Sequence, residues 1–231
     1  MLVGLQCPLD KLDWLLESLH EAPIRPCSIS ALNSPAGRQV VGPALPGFLQ
    51  DGSKPIRDWL ILVGFEDNKE AVAGQMVRLQ QIAGMESMLQ RQWQDGESQS
   101  IWTGLADFPL ASAGPLTFKA NLLPRATAAF CRQAAGMPEV EALQAEAGNG
   151  IVVGHVAPGL TLDRAGAMLT TLLETAAAAD GNLVLLRCPP HWKSKLRVWG
   201  RPRQDFGLMR AIKEELDPRA IFNPGRFVDG I

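Results

Sequence analysis

From Trp59 to Phe65 the chain reads Trp-Leu-Ile-Leu-Val-Gly-Phe, a run without a polar side chain. Successive residues of a strand point to opposite faces, so a strand that does not alternate must be covered on both. This run predicts a strand central in its sheet. The flanking periodicities supply the other elements. Leu2–Gln6 is a short apolar strand, and Leu9, Leu12, Leu15, Leu16 and Leu19 recur at helical spacing after Pro8. Residues 27–32 predict a second strand, and Asn33–Lys54, rich in proline, predicts an irregular crossing. Asp67 with Glu70 has the spacing of a capping box ahead of Val72, Met76, Leu79 and Ala83. Residues 90–114 are polar and interrupted, with a short helix expected around Ile101, Trp102 and Leu105.

The second half repeats the order. Leu116–Leu122 alternates as a strand closed by Pro124, and a helix follows over Arg125–Ala135. Val140–Ala147 and Ile151–Val156 flank Gly148-Asn149-Gly150 as a hairpin, because these turn residues tolerate positive backbone angles. A long helix over Thr161–Ala179 and a strand over Leu183–Leu186 complete the pattern. The succession, βαββαβ continuing αββαβ, fits an α+β fold of two overlapping ferredoxin-like split βαβ units, a mostly antiparallel sheet with helices on one face, plus a C-terminal helical tail. Strict βα alternation, GxGxxG and GxxxxGK[ST] are all lacking, which excludes a Rossmann or P-loop cradle within these residues.

Composition narrows the partners. Twenty-two basic and 24 acidic residues are interspersed, for a net charge of -2, so neither a nucleic-acid-tracking surface nor a membrane span is expected, and the chain reads as cytoplasmic. Cys7, Cys27, Cys131 and Cys188 contain no CxxC and read as plain buried thiols. Residues 189–203 are irregular and basic; the helix Phe206–Leu216 follows, capped by Asp205, and then Asp217-Pro218-Arg219-Ala220-Ile221-Phe222-Asn223-Pro224-Gly225-Arg226-Phe227. Asp217-Pro218 stops the helix, Ile221 and Phe222 are expected to plug apolar space, and Asn223-Pro224-Gly225 makes a tight turn.

This terminal string resembles the end of the FAD-linked oxidases of the vanillyl-alcohol oxidase type. Upstream, LQCPLDKLDWLLESLHEAPIRPCSISALN (residues 5–33) and GNGIV (residues 148–152) resemble the cap domain of the glycolate oxidase FAD-binding subunit family. The resemblance implies a cap domain over residues 1–188 and a tail, 189–231, that returns toward a flavin domain. It implies FAD held mainly by that other domain, whose glycine-rich loop binds the pyrophosphate through backbone N–H groups. The chain is then expected to be the cap and C-terminal portion of a longer flavoprotein acting on a small 2-hydroxy acid such as glycolate. The alternative is a non-catalytic assembly subunit or domain of a multi-subunit glycolate oxidase. The partners implied are the FAD-binding domain or other subunits of such an oxidase.

The resemblance assigns candidates residue by residue. Asn223, Pro224, Gly225 and Arg226 would lie near the flavin, Arg226 offering charge; the same string equally serves as a helix stop with a solvated arginine. Lys119, on a strand ahead of Pro124, would face the substrate carboxylate, or else water. Metal-binding relatives carry H-x-G-D-G-N-x-H, where this chain has Glu146-Ala147-Gly148-Asn149-Gly150-Ile151-Val152-Val153, so no metal site is expected. Their E-H-G segment is replaced by Arg187-Cys188-Pro189-Pro190-His191-Trp192, and their substrate arginine by the stretch Thr103-Gly104-Leu105. His191 is the remaining candidate base, since an imidazole with an ordinary pKa suits proton abstraction near neutrality. His155 reads as a structural histidine, and Trp192 and Trp199 as packing anchors or part of a subunit interface.

Overall fold

A computed structural model describes residues 1–42, 58–85, 90–201 and 205–228. Its strands are β1 (Leu2–Pro8), β2 (Ser28–Leu32), β3 (Asp58–Gly64), β4 (Gln90–Trp93), β5 (Thr117–Asn121), β6 (Val140–Glu146), β7 (Ile151–Val156) and β8 (Asn182–Arg187). The helices are α1 (Leu12–Glu21), α2 (Ser34–Val41), α3 (Lys69–Met85), α4 (Asp95–Asp107), α5 (Thr127–Ala135), α6 (Leu162–Ala178) and α7 (Phe206–Leu216). All eight strands form one sheet, in the order β4-β1-β3-β2-β6-β7-β5-β8, and every neighbouring pair is antiparallel.

The order contains one unit twice. The segment β1-α1-β2-β3-α3-β4 lays its strands down as 4-1-3-2, and β5-α5-β6-β7-α6-β8 does the same when read from the other edge. Each is a split βαβ unit, and the two meet through equivalent strands, β2 and β6, as an approximate two-fold axis requires. That seam pairs Ser30 with Glu146, Ala31 with Ala145 and Leu32 with Gln144.

One face is covered by α1, α3, α5 and α6, whose apolar sides meet Val3, Leu5, Ile61, Val63, Phe118 and Val152 in the larger core. On the opposite face Leu2, Leu60, Leu62 and Trp93 pack beneath Val40, Val41, Ile101, Leu105 and Phe108, from α2, α4 and the turn after it. Coverage on both faces is the reason β3 shows no alternation. This second cover ends at β7, where Val153 is buried and Ile151 packs against the cluster; β5 and β8 contribute nothing to it.

Several local expectations are corrected. Part of the irregular crossing is α2: Asn33 Oδ1 accepts from Ala36 N at 3.1 Å, so Asn33 caps a helix that the following Ser34-Pro35 opens. Residues 43–54 lie outside the described residues. The start of α3 is capped by Asn68, whose Oδ1 accepts from Ala71 N at 2.9 Å, while Asp67 Oδ1 accepts from Asn68 N. The supposed Asp67–Glu70 box is one residue out of place. The polar segment after α3 contains β4, an edge strand recognisable only in three dimensions: Trp93 is fully buried, and Arg91 lies over its ring at 5.6 Å. Asp205 stands at the N-cap of α7, but its side chain makes no capping hydrogen bond.

Gly154 of β7 sits opposite Phe118 of β5, and the Phe118 ring fills the space a β-carbon would need. Gly154→Ala is therefore expected to lower stability by about 1–3 kcal/mol through overpacking. A thermal melt should show Tm falling by several degrees.

Candidate functional site

Two places carry chemistry. The first is the tail. After β8 a short turn, Pro190–Trp192, buries Trp192 against the main core. The chain then runs back along β8, with Leu185 N donating to Val198 O at 2.8 Å and Asn182 Nδ2 to Trp199 O at 3.1 Å. This shields an edge strand that would otherwise offer unpaired backbone groups. Beyond it, α7 buries none of its residues: Leu208, Ile212 and Leu216, spaced four apart, are all exposed.

The end of α7 is closed by a carboxylate clasp. Asp217 Oδ1 accepts from Ile221 N at 3.0 Å, and Oδ2 accepts from Phe222 N at 2.9 Å and from Lys213 Nζ. Lys213 Nζ also donates to Phe222 O at 2.7 Å. The hydrogen bond from Lys213, reinforced by the two backbone donors, holds the Asp217 carboxyl below its ordinary value. Ala220, Asn223 and Gly225 adopt φ of 49°, 48° and 68°. Such left-handed backbone suits glycine and asparagine, and the clasp holds Ala220 in it. Arg226 N donates to Asn223 O at 3.1 Å and closes the expected turn. Ile221 and Phe222, expected to plug apolar space, are 57% and 64% exposed. They fill no core among the described residues.

Between the β8 edge, the returning segment and this turn lies a groove of about 1210 Å³. Arg187, Lys193, Arg197 and Arg226 line it together with Leu186, Trp199, Phe206 and Phe227, and no acidic side chain among the described residues joins them. Trp199 and Phe227 meet edge to face, with centroids 5.6 Å apart. Arg187 also donates to the carbonyls of Ser112 and Gly114, tying the groove to the loop before β5. Cationic heads on apolar and aromatic walls suit an anionic ligand with a flat ring system. Gly225 and Arg226 line this groove, and Asn223 with Arg226 lines a smaller one of about 400 Å³ beside it.

The second place is the sheet face beyond the α2–α4 cover. Gln144, Val153, Lys119 and Val184 form one row across β6, β7, β5 and β8. Lys119 is half-buried on that face and does not itself line the groove, although its row neighbour Val184 does. Glu146 lies two residues along β6 from Gln144. Burial pushes its carboxyl above the ordinary glutamate value, although hydrogen bonds from Ser30, Gln144 and Ser28 pull the other way. His155, two along from Val153, stacks on Phe108 with centroids 4.1 Å apart. Burial lowers its pKa to about 4, against a hydrogen bond with the Phe108 backbone, so it is neutral at physiological pH. His191 is exposed on the Pro190–Trp192 turn, edge-on to Trp192, and lines neither groove.

The predicted site residues therefore divide: Asn223, Gly225 and Arg226 gather at the tail, Lys119 lies on the sheet face, and His191 stands apart from the grooves. Arg187, Arg197 and Glu146 were not singled out as site residues from sequence. The basic run 193–203 points to Arg197, whereas Arg187 at the end of β8 lies outside it and a lone glutamate ending a strand carries no such signal. No disulfide joins the four cysteines, yet only Cys7 and Cys131 are buried; Cys188 is half-buried and Cys27 exposed, so the uniform reading of buried cysteines fails. No group of three or more His, Cys, Asp or Glu among the described residues could hold a metal ion.

With this geometry in view, residues 199–227 match the family model of FAD linked oxidases, C-terminal domain. The matched stretch takes in Trp199, α7, the Asp217 clasp and the Asn223–Arg226 turn. It supports an FAD-linked oxidase C-terminal segment and FAD as the cofactor, this segment being only part of the binding architecture. No curated protein matches the chain. No helix among the described residues is long and apolar enough to cross a membrane.

Two pH effects follow. Because the Asp217 pKa is depressed on folding, its contribution is present above the ordinary carboxylate range and is lost as pH falls through the lowered value, below about pH 4. Amide exchange should show Ile221 and Phe222 protected at neutral pH, and Asp217→Ala should abolish that protection at any pH. His155 titrates near 4 in the folded chain but near 6.5 unfolded. The unfolded state then binds more protons between those values, and stability should fall as pH drops from about 6.5 to about 4. Denaturant melts of wild type and His155→Phe should diverge across that window.

Proposed function

We propose that the chain is the cap and C-terminal part of an FAD-dependent oxidoreductase acting on a small 2-hydroxy acid such as glycolate, with residues 1–188 as cap and 189–231 as the tail meeting a flavin-binding domain. The observation that carries this reading is the tail: the stretch that matches the family folds as a clasped turn beside a cationic, aromatic-walled groove. Its donor set fits an anionic, ring-bearing cofactor.

In this reading Arg226 and Arg197 hold negative charge on the cofactor, and Trp199 and Phe227 flank its flat parts. Asn223, Pro224 and Gly225 bring backbone close. Bound FAD supplies a two-electron acceptor for hydride removed from the substrate carbon. Lys119 holds the substrate carboxylate by a charge-assisted hydrogen bond, and the sheet shields that side of the pocket from water. His191, an exposed imidazole, is the candidate base left where the E-H-G segment of the relatives is replaced.

The exposed row Leu208, Ile212 and Leu216, continued by Ile221 and Phe222, suits the apolar contact of α7 with that partner domain. The same row favours the second reading, in which the chain has a non-catalytic assembly role in a multi-subunit glycolate oxidase.

FAD added to the full chain should quench Trp199 fluorescence weakly, and Arg226→Ala should reduce that affinity about ten-fold, as loss of a charged hydrogen bond does. Together with a flavin-binding domain of the same family, glycolate should bleach the flavin absorbance without oxygen. Flavin that binds but stays oxidised would leave the assembly role, and no effect of Arg226→Ala would sink the tail as a cofactor site.

A further inference from the structure

The aromatic wall of the groove beside β8 is built from two segments, and one of them is held in place by a side chain outside the groove. Trp199 comes from the stretch that returns along β8, Phe227 from the turn after α7, and their rings meet with centroids 5.6 Å apart. Two anchors fix the returning stretch on the strand. One is a backbone bond, Leu185 N to Val198 O at 2.8 Å. The other is the amide of Asn182, the first residue of β8. Its Nδ2 donates to Trp199 O at 3.1 Å, and its Oδ1 accepts from Arg201 N at 3.2 Å. A side-chain amide carries donor and acceptor together, as a peptide group does, so it grips the backbone on both sides of Gly200.

Gly200 is shaped to this grip. Its φ is 76°, and its N–H donates to Arg197 O at 3.2 Å, closing a turn over residues 197–200. A β-carbon here would meet Asn182 Oδ1 and the carbonyl of Leu183, so glycine serves both the left-handed backbone and the close approach. Covering an edge strand does not require this arrangement, since backbone pairing alone satisfies an edge. What the amide adds is a fixed backbone position for Trp199. Val198 packs against the larger core, whereas Trp199 is 38% exposed, so burial holds the stretch without holding the ring.

We propose that Asn182 is a positioning residue of the cofactor groove: through the Gly200 turn it holds Trp199 against Phe227, so that a flat anionic ligand meets a preformed wall. This rests on the reading of the groove as a cofactor site given above. Asn182 does not itself line the groove and acts through Trp199. A wall ordered in advance spares the ligand the cost of immobilising that side chain on binding.

The test uses the full chain labelled with fluorotryptophan, in which the Trp199 fluorine resonance is the one lost in Trp199→Phe. Asn182→Ala should move that resonance toward the solvent-exposed position before any ligand is added, and should weaken FAD about ten-fold. Gly200→Ala, which obstructs the same grip from the other side, should do likewise. Because Asn182 acts through Trp199, Asn182→Ala should cost nothing further in a chain that already carries Trp199→Ala. If Asn182→Ala and Gly200→Ala bind FAD as tightly as wild type, or if the Asn182→Ala loss adds in full to that of Trp199→Ala, the proposal is overturned and the groove still stands as a cofactor site. A wild-type Trp199 resonance that does not respond to FAD overturns both.

Discussion

The antiparallel pairing of β2 with β6 is the contact on which the rest of the molecule depends. Each split βαβ unit alone would leave that strand as an edge, and an edge presents a row of unsatisfied N–H and C=O groups. Joining the two edges satisfies both and makes one continuous eight-stranded sheet. The seam also fixes register between the halves, because a slip by one residue would turn Ala31 and Ala145 out of the larger core. Ser30 and Glu146 meet at that same line. The polar cluster is therefore as well positioned as the strands that carry it.

Asymmetry between the halves creates the surface available for function. Between β2 and β3 the first half carries α2, which with α4 closes the second face over β1, β2 and β3. The second half joins β6 to β7 through a tight turn at residues 147–150, with Gly150 at φ 73°. A turn that short cannot supply a covering helix. The face over β5 and β8 is left to polar and half-buried side chains, Lys119 among them. The tail meets the other exposed border, the β8 edge, and Arg226 of its clasped turn joins Arg187, Lys193 and Arg197 around a groove without an acidic neighbour among the described residues.

Elements with strong periodicity were legible in the sequence, because burial on one or both faces leaves a direct trace in residue order. The apolar run of β3, the hairpin turn at Gly148-Asn149-Gly150 and the heavy leucine spacing of α1 and α6 are cases of it. Elements whose stability comes from elsewhere left little trace. The polar β4 is held by pairing with β1 and by burial of Trp93, and α2 by an Asn33 side chain that caps the helix while also accepting from Leu143 N across the seam. The tail motif was visible as chemistry, but Ile221 and Phe222 looked like core residues because sequence records apolarity and not what lies opposite.

Sequence by itself determined the α+β class, the doubled strand–helix order and the terminal string that matches the FAD-linked oxidases, since each is written in local pattern or in contiguous residues. Tertiary structure alone decided which polar groups meet. Lys119 and Glu146 are 27 positions apart and Ser30 and Glu146 are 116, and only the register of β2, β6, β7 and β5 places them on one face. Such an arrangement depends on long-range strand pairing, for which no single stretch of chain carries the signal.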